Sequence, residues 1–235
     1  MSPQHTPTNP AFSEAQHIVD DAWQELQRGL HVQQRLDPAN ARLPEVSLRE
    51  TERRSQVGHS LLQRLKSLDW SNLPHDLELT LRLVRFRADT WSKEAQRYWA
   101  AVDPRGIGAL GMFLPTAYCG GYLLNFAHSR LASFLFKEPG DGERCLQWLQ
   151  DYARLVEQFT ARTAGQAERG VRMPKVQVLQ ARTLLGGFKA GAHAVVSELL
   201  ARLDSDSKRR WAQKIESGLV SGLQPAFDQI GRAHV

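Results

Sequence analysis

The residues able to do hydrolytic chemistry are scattered along this chain. Its eight histidines stand at positions 5, 17, 31, 59, 75, 128, 193 and 234, and no two of them lie three or four residues apart. A zinc hydrolase typically carries two histidines on one helix, as in H-E-x-x-H, so that both imidazoles converge on the metal. The chain also lacks a G-x-S-x-G turn and a recognisable cysteine-histidine constellation for nucleophilic catalysis. We therefore predict no catalytic residue, no metal ligand and no cofactor-binding residue in this chain.

Glycine pairs at 120–121 and 186–187 raise the question of a phosphate-binding loop. The usual phosphate loop follows a strand and ends in Gly-Lys-Ser/Thr, and neither pair meets these requirements. Glycine also weakens the interior of a helix. The sequence therefore predicts that the glycines interrupt helices, so that a helix opened by Pro174 ends at Leu185 and another begins at Phe188.

The charge pattern argues against a nucleic-acid partner. The chain has a formal net charge of +5, but its 30 lysines and arginines are interspersed with 25 aspartates and glutamates, as in RETERR at 49–54. Mixed charges on a helix are typical of a solvent-facing surface. No basic block or nucleic-acid-binding motif is present, so we expect no nucleic-acid partner.

The amino-terminal residues and the cysteines favour a cytoplasmic protein. Residues 1–11, predicted to be a disordered leader, contain neither a positive segment nor an apolar run. Two cysteines, Cys119 and Cys145, are too few for a disulfide framework and are expected to be small buried apolar residues. Residues 106–129 lack charge, but Pro115 and five glycines interrupt them, which favours a buried loop over a membrane span.

Apolar residues recur at helical spacing, and no segment alternates as a strand does. The predicted fold is all-α, a multi-helix bundle of long antiparallel helices. A helix before Gly170 should bury Cys145, Leu149, Tyr152, Val156 and Phe159. The other predicted helices cover 12–36, 47–68, 77–102, 122–136 and the segment after Ser205.

The third predicted helix has the most regular apolar pattern. Its steps of four and three predict one continuous buried seam over 77–102. Leu79, Leu83 and Phe86 lie on another side, which predicts contact with a second neighbouring element. Tryptophans at helical spacing beside leucines are expected in the core. The scattered ones are Trp23, Trp91, Trp148 and Trp211. The same expectation holds for the aromatic pair Tyr98-Trp99, and the alternative for all of these aromatic residues is the lining of a ligand groove.

Residues 230–235 read Ile-Gly-Arg-Ala-His-Val. A widely used sequencing adapter encodes the same six residues followed by a stop codon, and its two preceding bases complete a glutamine codon, which fits Gln229. We therefore interpret residues 229–235 as adapter sequence and expect the natural protein to continue beyond Asp228.

Several segments together carry a family resemblance. They are DYARL at 151–155, ERGVRMPK at 168–175, LPEVS at 43–47, LLQRL at 61–65 and LQPAF at 223–227. Over residues 12–228 they resemble the amino-terminal half of the bacterial family catalogued as domain of unknown function 885. Gly170, Pro174 and Pro225 are its signature positions here. We interpret them as structural, with Gly170 supplying a left-handed turn and Pro174 a first helical residue.

The resemblance implies an all-helical protein similar to gluzincin-type zinc metallopeptidases, whose H-E-x-x-H motif and later glutamate lie in the carboxy-terminal half. Residues 12–228 would then be a non-catalytic amino-terminal region that forms one wall of the substrate channel. The resemblance implies zinc and a peptide substrate for the full-length protein, with the missing carboxy-terminal half as partner. The alternative hypothesis is a self-contained helical interaction or regulatory module whose basic surface meets an acidic partner.

Overall fold

The computed structural model describes residues 10–28, 42–99, 121–138, 140–172, 174–203 and 205–233. Within these ranges the regular structure is helical and no strand occurs, which confirms the predicted all-α class. The helices are α1 (Pro10–Gln27), α2 (Leu48–Ser67), α3 (His75–Ser92), α4 (Glu94–Arg97), α5 (Gly121–Ala132), α6 (Asp141–Glu168), α7 (Lys175–Ala201), α8 (Ser205–Gly218) and α9 (Gln224–Ala233), with a π-helical turn at Leu219–Leu223.

The chain divides into two compact units. Unit 1 consists of Met1–Ala39 and Leu48–Tyr98, and unit 2 of Asn40–Ser47 and Trp99–Val235. No helix within the described ranges is long and apolar enough to cross a membrane. Most of the uncharged stretch at 106–129 lies outside those ranges, as does the predicted continuation of the first helix beyond residue 28.

The core of unit 1 is shared by α1, α2 and α3, whose inward residues recur at helical spacing. Helices α2 and α3 approach each other closely at Gly58. A β-carbon there would be 2.5 Å from the backbone nitrogen of Ser92 and 2.7 Å from the backbone oxygen of Ala88. Glycine therefore permits this close approach of two backbones. The buried apolar residues are Ala15, Ile18, Ala22, Leu61, Leu65, Leu77, Leu81, Val84, Ala88 and Trp91.

The third predicted helix breaks at Lys93, between α3 and α4, so the continuous helix expected over 77–102 is wrong. The Ser55 hydroxyl of α2 explains the break. It donates to the backbone oxygen of Trp91 at 3.0 Å and accepts from the backbone nitrogen of Ala95 at 2.9 Å. In a continuous helix these two backbone groups would bond to each other. Ser55 has inserted into that bond, which is a known cause of helix interruption.

The second apolar side of α3 is exposed. Leu79, Leu83 and Phe86 are 48%, 69% and 69% exposed, so the expected contact with another element is not made by the described residues. Three of the four scattered tryptophans expected in the core are buried there, but Trp23 is 50% exposed and that prediction is wrong.

Helix α6 is the centre of unit 2. Its predicted inner face is confirmed, since Cys145, Leu149, Tyr152, Val156 and Phe159 are all buried. It packs against α5, α8, the π-helical turn and α9, while α7 packs against α5 and α9. Burial raises the pKa of the Cys145 thiol to about 12, so this residue is an inert apolar side chain. Cys119 lies outside the described residues.

Helix α7 continues through both glycines, so the break predicted at Gly186 and Gly187 is wrong. A β-carbon at either position would meet nothing within 4 Å. Each glycine costs the helix about 0.8–1 kcal/mol relative to alanine. Burial of an apolar side chain such as Leu185 or Leu199 contributes about 1.5–3 kcal/mol, so the packed face of α7 outweighs the two glycines.

Candidate functional site

Gly170 ends α6 in a left-handed conformation with φ of +77°. The amide of Val171 donates to the backbone oxygen of Gln166 at 2.9 Å, and the amide of Gly170 donates to that of Ala167 at 3.1 Å. These two bonds form a Schellman motif, which closes a helix on a residue without a β-carbon. The left-handed turn expected at Gly170 is therefore present.

Pro174 immediately precedes α7. The helix begins at Lys175, and Pro174 is its N-cap, with φ of −56° and ψ of 136°. Its carbonyl accepts the backbone amide of Gln177 at 2.9 Å. The expectation that Pro174 is the first helical residue is thus wrong by one position. An N-cap has extended backbone angles while its carbonyl already belongs to the first turn.

Pro225 is the second residue of α9 and follows the π-helical turn at Leu219–Leu223. Proline has no backbone N–H to offer the carbonyl of Ser221 four residues earlier, and its ring collides with that carbonyl. A wider turn removes the collision, which accounts for the change from α- to π-helical pairing just before Pro225.

Helix α6 carries a polar edge, defined here as Gln147, Asp151, Arg154, Gln158, Arg162 and Gln166, which share one side of the helix. Residues 42–46 run along this edge as a strap without regular secondary structure. Arg42 donates through Nε and Nη2 to the two carboxylate oxygens of Asp151, at 2.5 and 2.8 Å. The backbone nitrogen of Val46 donates to Oε1 of Gln158 at 2.8 Å. The strap is therefore fixed to α6 at both of its ends.

Asp151 carries the negative charge of the polar edge. Its side chain is fully buried, whereas those of Arg42 and Arg154 are 48% and 41% exposed. Arg154 Nη2 lies 3.1 Å from the Asp151 carboxylate, and Gln147 Nε2 donates to the same oxygen at 3.1 Å. The hydrogen bond to Asp151 raises the pKa of Arg42. With four donors around it, Asp151 anchors the strap and is not placed to accept a proton from a substrate.

The carboxy-terminal end of the polar edge holds Trp99. Gln166, which is fully buried, donates through Nε2 to the backbone oxygen of Trp99 at 3.3 Å. The indole lies against Gly165, where a β-carbon would come within 2.4 Å of the ring. The Arg169 guanidinium lies 4.1 Å from the ring centroid, a cation–π distance. These contacts hold Trp99 against the last turns of α6 within unit 2.

The solvent-facing side of α7 has a different character. We define its outer face as Val176, Leu179, Thr183, Gly186, Ala190, Ala194 and Ser197, which are exposed and recur at steps of three and four. None of them is charged. The hydroxyls of Thr183 and Ser197 donate to backbone oxygens of their own helix at 3.0 Å. The outer face therefore presents small and apolar groups along most of α7.

A shallow depression lies on this outer face. Its volume is about 520 Å³, and it is lined by Gly186, Lys189, Ala190, His193, Ala194 and Gln224. Lys189 forms an ion pair with Asp228 of α9 at 2.5 Å. The depression thus combines a floor of glycine and alanine with a polar rim. It can accept an apolar side chain or a stretch of extended backbone.

The histidines are not brought together in the described part of the chain. No group of three His, Cys, Asp or Glu side chains within that part could hold a metal ion. His128 packs edge to face on Phe188 and against Gly191, and burial lowers its pKa. His193 lines the depression on α7. The described residues therefore do not fit a zinc site.

A family model described as a bacterial protein of unknown function (DUF885) matches residues 24–233. The chain belongs to this family. The resemblance drawn from the sequence segments is therefore confirmed. No curated protein and no solved structure matches the chain.

Sequence reasoning missed Asp151, Arg42 and the outer face of α7. The spacing of polar residues on α6 could have revealed one side of the polar edge. Arg42 stands 109 residues before Asp151, and nothing local to it signals a partner. The outer face was concealed because Gly186 was interpreted as a helix break.

Proposed function

We propose that this chain is the helical amino-terminal part of a zinc-dependent peptidase, without catalytic activity of its own, and that the outer face of α7 forms one wall of the substrate channel. Membership of the family and the resemblance of its segments support the first part of this proposal. The single observation that supports the second is the uncharged outer face with its depression of about 520 Å³.

The outer face has the properties that an extended peptide requires of a channel wall. Gly186, Ala190 and Ala194 project little beyond the helix backbone, so a peptide main chain can approach closely. The depression is within the usual size range of ligand pockets, about 300–1,000 Å³. Lys189, His193 and Gln224 at its lining could bond peptide carbonyl groups. Substrate selectivity would then rest on apolar side chains.

In this proposal, the residues that bind zinc lie outside the described part of the chain. Because no suitable ligand group occurs among the described residues, no hydrolytic step is assigned to this chain. The metal, the general base and the residues that polarise the peptide carbonyl would belong to the carboxy-terminal half, which is the proposed partner of α7.

The proposal is tested first on the gene. The locus is amplified outward from the codons for residues 211–228 and sequenced. A reading frame that continues into an H-E-x-x-H helix and a later glutamate supports the proposal. A native stop codon at the end of this chain refutes it and favours the alternative of a self-contained interaction module.

The channel wall is tested on the longer protein. Ala190→Glu places a charge on the outer face, and Ala164→Glu places the same charge on an exposed position of α6. We expect Ala190→Glu to lower kcat/KM for apolar peptides by about tenfold or more, because an unpaired carboxylate would face the substrate. Ala164→Glu should leave it unchanged. Equal activity of both variants would show that α7 does not line the channel. Chelator-sensitive peptidase activity in the present chain, with one zinc bound, would refute the proposal that this chain is not catalytic.

A further inference from the structure

The outer side of α3 is an unpartnered apolar surface in unit 1. We define the α3 stripe as Leu79, Leu83 and Phe86, which lie at steps of four and three and face solvent. The opposite side of the same helix buries Leu81 and Ala88 in the core of unit 1. A helix that is apolar on two opposite sides needs a partner on each of them.

The charges beside the α3 stripe are unevenly distributed along the helix. Asp76 and Glu78 lie in the first turn, whereas Arg85 and Arg87 lie beyond the middle. Arg82 is paired with Glu78 at 2.5 Å. Among the described residues, no side chain forms an ion pair with Asp76, Arg85 or Arg87. The stripe therefore has an acidic amino-terminal end and a basic carboxy-terminal end, each with unpaired charge.

We propose that a second copy of this chain covers the α3 stripe, with the two α3 helices antiparallel about a twofold axis near Leu83. Such an axis places Leu79 of each copy against Phe86 of the other. It also places Asp76 of each copy near Arg87 of the other. These two residues are eleven positions, or about three turns, apart and so lie on the same flank of α3. In antiparallel helix pairs, flanking residues on the same side meet each other.

Self-complementarity is what favours a second copy over another partner. A twofold interface uses the same patch twice, so every attractive contact must be matched by its symmetric equivalent. The antiparallel arrangement satisfies this requirement for both the apolar and the charged contacts. A parallel arrangement would instead place Asp76 against Asp76 and Arg87 against Arg87. The acidic end also makes the stripe poorly suited to an anionic membrane surface.

The association should be weak and sensitive to salt. Three exposed side chains per copy cover far less than the roughly 800 Å² per partner of a standard interface. The charged contacts lie at the rim, where salt screens them. We expect dimers in sedimentation equilibrium at chain concentrations of about 100 µM and low salt, and mostly monomers of 26.5 kDa at tenfold dilution.

A charge swap tests the antiparallel arrangement. Asp76→Arg and Arg87→Asp should each weaken dimerisation by about tenfold, since each places like charges together twice. The double variant restores opposite charges across the twofold axis and should recover dimerisation. Within one chain the two positions are about 16 Å apart along the helix, so an internal ion pair cannot explain the recovery.

An apolar substitution provides the matched control. Leu83→Ser should abolish dimerisation, whereas Leu135→Ser, at an exposed leucine of unit 2, should not change it. Circular dichroism confirms that each variant keeps its helical content. The proposal is overturned if the double variant is as monomeric as the two single variants, or if the unmodified chain is monomeric at about 200 µM. It is also overturned if Leu83 is needed for binding to phosphatidylglycerol vesicles but not for dimerisation. None of these results depends on the role proposed for α7.

Discussion

A methyl group added at Gly58 and the same group added at Gly187 should change the stability of this protein in opposite directions. Both glycines lie inside helices. At Gly187 the added carbon would meet nothing within 4 Å. At Gly58 it would lie 2.5 Å from the backbone nitrogen of Ser92 and 2.7 Å from the backbone oxygen of Ala88.

The magnitudes follow from these distances. Alanine is better than glycine in a helix interior by about 0.8–1 kcal/mol, and Gly187→Ala should gain most of it. At Gly58 the obstructing atoms belong to a helix backbone and cannot rotate away. Helices α2 and α3 would have to separate by roughly 1 Å, and overpacking of this kind costs about 1–3 kcal/mol or more. After the helical gain of about 0.8–1 kcal/mol is subtracted, Gly58→Ala should destabilise unit 1 by up to about 2 kcal/mol.

Urea unfolding followed by far-ultraviolet circular dichroism measures both effects. The unmodified protein and the two variants are compared at one chain concentration, because self-association would otherwise alter apparent stability. Gly187→Ala should raise the midpoint of unfolding and Gly58→Ala should lower it. If Gly58→Ala raised the midpoint as much as Gly187→Ala does, the close approach of α2 and α3 would be wrong.

Three further substitutions test the other contacts. Gly170→Ala should cost about 1–2 kcal/mol of unfolding free energy in urea, because alanine is strained at positive φ while nothing else obstructs its β-carbon. Asp151→Asn should lower the unfolding free energy by about 3 kcal/mol in the same assay. This value is at the low end for breaking a buried ion pair, because the half-exposed Arg42 can be hydrated once its partner is neutral. A loss below about 0.5 kcal/mol would disprove the anchoring role. Burial lowers the folded-state pKa of His128, so the unmodified protein should lose unfolding free energy as the pH falls below the unfolded-state pKa of about 6.5. His128→Gln should make this loss smaller. An unchanged dependence of the unfolding free energy on pH would contradict this account.

Periodicity predicted the face that α6 buries, whereas it placed Trp23 of α1 in the core although that side chain is half exposed. The inner face of α6 was correct because steps of three and four specify one side of a helix whatever packs on it. The prediction of a left-handed turn at Gly170 was correct for a similar reason, since a helix that ends at positive φ favours glycine at that one position.

The failures concern contacts between distant segments. The break at Lys93 depends on Ser55, which stands about forty residues earlier and inserts its hydroxyl between Trp91 and Ala95. The continuity of α7 depends on packing that outweighs two glycines, which a local pattern does not reveal. Arg42, the distant charged partner of Asp151, lies in a strap with no periodicity of its own.

Residues 40–47, the segment that contains the strap, belong to unit 2, and segments of unit 1 precede and follow them, so unit 2 is discontinuous in sequence. During synthesis Arg42 leaves the ribosome long before Asp151, which lies 109 residues later in the chain. The ion pair that fixes the strap to α6 can therefore form only after much of α6 has been made. Unit 1 has all of its described helices by residue 97 and can form while unit 2 is still being made. An experiment that divides the chain at residue 98 would therefore leave residues 40–47 on the wrong piece, and residues 99–235 should refold properly only when the strap is supplied as well.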